Sequence, residues 1–155
     1  MAITIARLQL SSSAFEEGKR IPAVYTCEGR NINPPLSIQR LPEGTRSLAL
    51  IVEDPDAPKQ TFDHWVMWNI PVRETIDEDA NPGINGVNSA GETGYIGPCP
   101  PSGVHRYYFH VFALDAELDL PAGINKEALL VAIESHVLAR GSLMGTYEKK
   151  NKETE

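Results

Sequence analysis

Ten of the 23 residues between positions 81 and 103, NPGINGVNSAGETGYIGPCPPSG, are Gly or Pro. Proline supplies no N–H to a ladder and glycine packs no side chain, so this density excludes a helix or an interior strand. The chain crosses this distance either as a long ordered loop or as a disordered one. Ordering so much loop costs conformational entropy, and in a compact domain such loops are usually functional. The run leads into VHRYYFHVFA, residues 104–113, whose aromatic and β-branched side chains read as a strand with His105 near its start. A stiffened loop that delivers a histidine to a strand describes one wall of a small preformed pocket.

The rest of the pattern is mostly β. SLALIVE (47–53) and HWVMWNI (64–70) are apolar runs bounded by Pro, Gly or Asp, and weaker strand signals cover 3–10 and the segment around Leu36 and Ile38. One segment has helical spacing instead. After Asn125, Leu129, Leu130, Ile133, Val137 and Leu138 fall at i, i+1, i+4, i+8 and i+9, three- and four-residue steps that keep to one helical face, which predicts a helix over about 126–139. Asn125 is its N-cap, Glu127 lies in its first turn, and Arg140 and Gly141 mark its end. The expected architecture is a mostly β, antiparallel sandwich with one helix in the C-terminal region, in a single domain of residues 1–155.

Charge narrows the partners. With 21 acidic and 14 basic residues the formal charge is −7, which disfavours nucleic acid and anionic membranes. Lys149, Lys150 and Lys152 are interleaved with Glu and read as a solvated tail. No apolar run reaches the ~18 residues of a membrane span. The alternating N-terminus MAITIARLQL reads as a strand and not as a signal peptide, so a soluble, cytoplasmic protein is expected. Two cysteines, Cys27 and Cys99, are too few and too far apart for a C-x-x-C metal cluster. One disulfide is open to them, but a reducing cytoplasm favours free thiols.

The second informative stretch is EDPDAPKQTFDHW, residues 53–65. Extended backbone would aim Asp54 and Asp56 the same way at a strand end, as a carboxylate pair; the alternative is a simple Asp-Pro-Asp turn with each Asp capping backbone. His64 opens the next strand as His105 opens the one after the loop, and two such histidines point to a shared site. Tyr107 falls on the face of His105, whereas Arg106, Tyr108 and His110 fall on the other. Asp54, Asp56, His64 and His105 together resemble a metal set, but two strand-end loops lack the ligand geometry a divalent ion needs, and a metal-free site is expected. No nucleophile elbow, phosphate loop, dinucleotide fingerprint or H-E-x-x-H motif occurs, and Ser142 in GSLMG is misplaced for an elbow. These absences argue against an enzyme and against any cofactor, although a triad assembled in space leaves no sequence trace.

"DPDAP" followed by "HWVMWNIP", then "GPCPPSGVHRYYF", with "YTCEGRNINPPLSI" upstream, resemble the signature regions of the phosphatidylethanolamine-binding protein family, also called Raf kinase inhibitor proteins, in its bacterial and archaeal YbhB/YbcL-like branch. The resemblance runs from about residue 8 to Tyr147. It implies a Greek-key β-sandwich with a small pocket for anionic groups such as phosphate. Carried over by position, it implies ligand-binding roles for Asp54, Asp56, Pro58, His64, Gly97, Pro98, Cys99, Pro100, His105 and Tyr107. Gly97 is expected to let backbone approach the ligand, the prolines to hold the loop open, and a carboxylate to favour the imidazolium form of a histidine. The resemblance also implies that Cys27 and Cys99 are neighbours. The C-terminal lid helix of eukaryotic members is expected to be missing.

Three functions follow, in this order: a binding module for a small anionic or phosphorylated ligand that regulates a protein partner, a protease inhibitor, and a hydrolase using Asp and His. A homodimer is compatible with each.

Overall fold

The computed structural model describes residues 5–150. Residues 3 and 4 of the first strand signal and Lys152 of the basic tail lie outside that range. Nine strands run β1 Ala6–Arg7, β2 Gln9–Ser11, β3 Leu36–Gln39, β4 Ser47–Asp54, β5 Phe62–Ile70, β6 Thr75–Ile76, β7 Ile84–Asn85, β8 His105–Leu114 and β9 Val137–Tyr147. The helix α1 is Lys126–Ile133. One sheet has the order β1-β9-β8-β4-β5-β7 and the other β2-β3-β6. β4 and β5 form an antiparallel pair, and β8 returns after the long loop to lie on the other side of β4. Apart from the parallel pair β1–β9, the ladders are antiparallel.

Alternation along the central strands divides their side chains between two cores. Val52, Trp65, Met67, Phe109 and Val111 face the small sheet, where they meet Leu10, Ile21, Leu36 and Ile38. Ile51, Val66, Trp68, Phe112 and Leu114 face outward and are covered by Leu129 and Ile133 of α1. Both faces of β4 are therefore apolar, which explains its nearly unbroken hydrophobic run. The Gly/Pro segment carries only the two-residue edge strand β7 and otherwise runs as ordered loop. Asn88 organises it: its Oδ1 accepts from Ala90 N and Glu92 N, and its Nδ2 donates to Gly94 O.

The helix is shorter than its stripe. Asn125 caps it, with Oδ1 accepting from Ala128 N at 2.9 Å, but it ends at Ile133, and Val137–Tyr147 is a strand. Leu130 of the predicted stripe is exposed, and Arg140 and Gly141 belong to β9. Tertiary pairing wins over helical spacing here: β9 fills the gap between β8 and β1, with Ala139, Gly141, Leu143, Gly145 and Tyr147 facing inward. The glycines fit because a Cβ at Gly141 would meet Leu8 O at 2.7 Å, and one at Gly145 would meet Ile21 and Phe15 at 2.6 and 2.7 Å. Glycine inside a strand marks close approach of neighbouring chain.

Candidate functional site

Four segments enclose a cavity of about 190 Å³ at one end of the large sheet. The end of β4 contributes Asp54, the following turn Ala57 and Pro58, and the start of β5 Phe62 and His64. The loop contributes Ile96, Gly97, Cys99, Pro100 and Pro101, and the start of β8 adds His105 and Tyr107. Eight of the ten residues carried over from the family signatures thus line one cavity; Asp56 and Pro98 do not.

The two aspartates part company at the turn. Asp54 is buried, its Oδ1 accepts from Asp56 N at 2.7 Å, and its Oδ2 lies 2.7 Å from His105 Nδ1. Asp56 is bound by Arg106 through three bonds: Nε and backbone N reach Oδ2, each at 2.9 Å, and Nη2 reaches Oδ1 at 2.8 Å. That fork holds the Asp56 carboxyl down at about 2. Of the two alternatives for Asp-Pro-Asp, the carboxylate pair does not form, because the chain leaves the extended conformation after Asp54. The turn reading holds for both, since Asp54 caps Asp56 N and Asp56 caps Arg106 N, and of the two only Asp54 lines the cavity.

His64 reaches the cavity through an irregularity in β5. Val52 pairs with Trp65 but Glu53 pairs with Asp63, so the register shifts at His64. Uninterrupted alternation would send His64 outward with Val66 and Trp68; the extra residue re-aims it, as β-bulges do beside binding sites. His64 and Ile96 then clasp each other. Ile96 N donates to His64 O at 3.0 Å, and His64 Nδ1 lies 2.6 Å from Ile96 O. A carbonyl only accepts, so Nδ1 carries the proton and Nε2 is the remaining ring nitrogen. Burial lowers the His64 pKa below 6.5 more than the Ile96 bond and the Asp54 charge raise it. The sequence expectation of carboxylates pushing the site histidines upward therefore fails at His64, where desolvation dominates.

His105 is 7 % exposed and belongs to the wall more than to the rim. Asp54 occupies its Nδ1 and leaves Nε2 free. Tyr107 projects from the same face, its ring 6.4 Å from that of His105 and 5.3 Å from that of His64. Its buried hydroxyl lies within the electrostatic reach of Asp54 yet closes no well-formed hydrogen bond. Burial first, then the Asp54 charge, raises its pKa, so it stays a donor.

The loop wall corrects two further expectations. A Cβ at Gly97 would meet Tyr25 O at 2.3 Å and Asn31 Oδ1 at 2.5 Å, so the close approach it permits is to the 23–31 segment and not to a ligand. Gly97 N donates to Asn31 Oδ1 at 2.8 Å, while Pro98 sits behind the wall with its carbonyl accepting from Cys27 N. Cys27 and Cys99 are neighbours, as the resemblance implies, but they form a disulfide with Cα atoms 5.4 Å apart, not free thiols. The thiol expectation rested on an assumed compartment, and the packing of 97–99 against 26–31 overrides it. Phe62, Ala57, Ile96 and Pro101 are lining residues that no chemical motif singles out; closeness in sequence to His64, Pro58, Gly97 and Pro100 is the available signal.

The phosphatidylethanolamine-binding protein profile matches residues 11–148. A UPF0098 protein of Methanothermobacter thermautotrophicus is 47% identical over 150 residues, covering 92% of this chain and 99% of that protein. A crystal structure of a phosphatidylethanolamine-binding protein homolog from Chlamydia trachomatis superposes with a TM-score of 0.89 at 45% identity, covering 93% of this chain and 99% of that one. Escherichia coli YbcL, described as a member of the mammalian family, superposes with a TM-score of 0.85 at 30% identity, over 94% of this chain and 100% of its own. Sequence, profile and fold agree that this chain belongs to the phosphatidylethanolamine-binding protein family.

Proposed function

We propose that the cavity is a binding site for a small anionic group of the phosphoryl type. The observation that carries this reading is the buried Asp54–His105 pair, which fixes one imidazole so that its Nε2 serves the ligand. With a proton on Nε2, that ring is a charge-assisted donor, and the Tyr107 hydroxyl, buried beside Asp54, is a second donor. Neutral His64 offers a lone pair to the hydroxyl of a monoprotonated phosphate. No lysine or arginine lines the cavity, so the ligand is held by a few directed bonds within an apolar wall, and the prolines limit the freedom lost on binding.

Binding is favoured over hydrolysis here because the lining holds no serine, threonine or free thiol. No helix among the described residues is long and apolar enough to cross a membrane. The exposed disulfide suits an oxidising compartment better than the cytoplasm. The test is calorimetric titration with phenyl phosphate. His105→Gln keeps a donor for Asp54 but loses the cationic donor, and its affinity should fall about ten- to a hundredfold, for ~1.5–3 kcal/mol. Equal affinity in wild type and variant overturns the proposal.

A further inference from the structure

The opposite face of the same strands carries a second constellation. Cross-strand pairing sets Ser142 on β9 against His110 on β8, with Ser142 Oγ 2.7 Å from His110 Nδ1. His110 Nε2 lies 2.9 Å from Glu53 Oε2. A carboxylate only accepts, so Nε2 carries the imidazole proton and Nδ1 presents a lone pair to the serine hydroxyl. Glu53 is fixed in turn by Lys126 Nζ at 2.8 Å, and its carboxyl is held down at about 2, chiefly by the His110 bond. The Tyr108 ring stacks on the imidazole at 5.8 Å and 8°.

These groups form a hydroxyl, a base and an orienting carboxylate in sequence, the relation that defines a serine triad irrespective of chain order. A polar ladder on a sheet could satisfy the same bonds with no ligand, but it would not need what lies beside it. Ser142 is exposed and opens into a cavity of about 300 Å³ whose other lining residues are Arg7, Leu8, Arg140 and Gly141. Arg140 is kept on this face by Phe112, with its guanidinium 5.4 Å from the ring centroid. Arg7 pairs with Arg140 across the parallel β1–β9 ladder. A chain of net charge −7 thus places two arginines around one histidine-bonded hydroxyl.

We propose that Ser142, His110 and Glu53 form an acyl-transfer site for esters whose acyl group carries a negative charge, recognised by Arg7 and Arg140. Ser142 Oγ bonds to the ester carbonyl carbon while its proton passes to His110 Nδ1. The C–O bond to the alcohol then breaks, and the alcohol leaves with that proton. Water, deprotonated by the same nitrogen, cleaves the acyl-serine to a carboxylic acid and restores the hydroxyl. Glu53 is a positioning residue: it fixes the imidazole tautomer and faces the cation that forms. The site shares no residue with the histidine-lined cavity, so either can fail without the other.

The experiment labels the full chain with a fluorophosphonate probe and locates the adduct by peptide mass spectrometry. The expected result is labelling at Ser142 that disappears in urea and in Ser142→Ala. In His110→Ala labelling should slow ~100-fold or more, the contribution of a general base, and added imidazole should restore part of it. Nitrogen NMR should show one imidazole tautomer at His110 in wild type and a mixture in Glu53→Gln. The 4-nitrophenyl monoester of succinate should turn over at least about tenfold faster than the butyrate ester, and Arg140→Gln should erase that preference. No adduct at Ser142, or equal labelling in wild type and His110→Ala, overturns the triad; equal turnover of the two esters overturns the arginine assignment.

Discussion

The same strands build two carboxylate–histidine pairs, Asp54 with His105 on the inner face and Glu53 with His110 on the outer. The carboxylates are adjacent on β4. Their settings differ in access and in company. The inner pair is almost dry, with side chains 5 % and 8 % exposed, whereas the outer pair is 25 % and 16 % exposed. Glu53 also has Lys126, which in turn reaches Asp63 at 2.9 Å, while the further hydrogen bond to Asp54 comes from the backbone N–H of Asp56. The outer cluster closes its charges among protein groups. The inner pair depends on a single imidazole, so removing that imidazole strands a buried carboxylate, whereas removing His110 leaves Glu53 its lysine.

The largest expected effect tests that asymmetry. His105→Ala should destabilise the fold by ~3–5 kcal/mol, the cost of an uncompensated buried charge, and urea melts should show His110→Ala losing distinctly less. Equal losses would break the contrast. Reducing the Cys27–Cys99 bond, which spans 72 residues of sequence, should cost about 2–4 kcal/mol. It should also weaken phosphate binding in the inner cavity while leaving Ser142 labelling unchanged, since Cys99 lines only the first site.

Acid should separate the two faces by pH window. His64 has a folded pKa below its ordinary 6.5, so as pH falls under 6.5 the unfolded chain gains a proton that the native chain refuses, and stability declines. His64→Asn should flatten that part of the stability–pH curve. Glu53, lowered from 4.5 to about 2, stabilises the native state above pH 4.5, and that contribution is lost as pH falls toward about 2. Glu53→Gln should remove this second, more acidic decline. The smallest effect is expected from Asp56→Asn, whose partner Arg106 is at the surface. Its stability change should shrink further with added salt, as an exposed ion pair requires.

How legible these features are follows from how local their causes are. β4, β5 and β8 are evident from their apolar runs and turn-forming borders, and the family signatures assemble most of the inner cavity. β9 is hidden because Val137 and Leu138 continue a helical stripe, while Gly141 and Gly145 look like breakers until Leu8, Ile21 and Phe15 are seen pressing on them. The orientation of His64 depends on a register shift, which belongs to the pairing of two strands and has no signature in either. The outer triad is invisible for the same reason: Glu53, His110 and Ser142 meet only because three separated segments lie side by side.

The bond between Cys27 and Cys99 also divides the inner site mechanically. It closes a covalent loop that contains Asp54 and His64 but excludes His105 and Tyr107. A molecule drawn out by its two ends would take tension through β8 and β9, while the 72-residue loop withholds roughly 240 Å of contour at ~3.3 Å per residue. Under load the two histidines therefore sit on opposite sides of a tension boundary. One is sheltered within a closed circuit and the other lies on the path of the force, so the cavity has one wall on each side of that boundary.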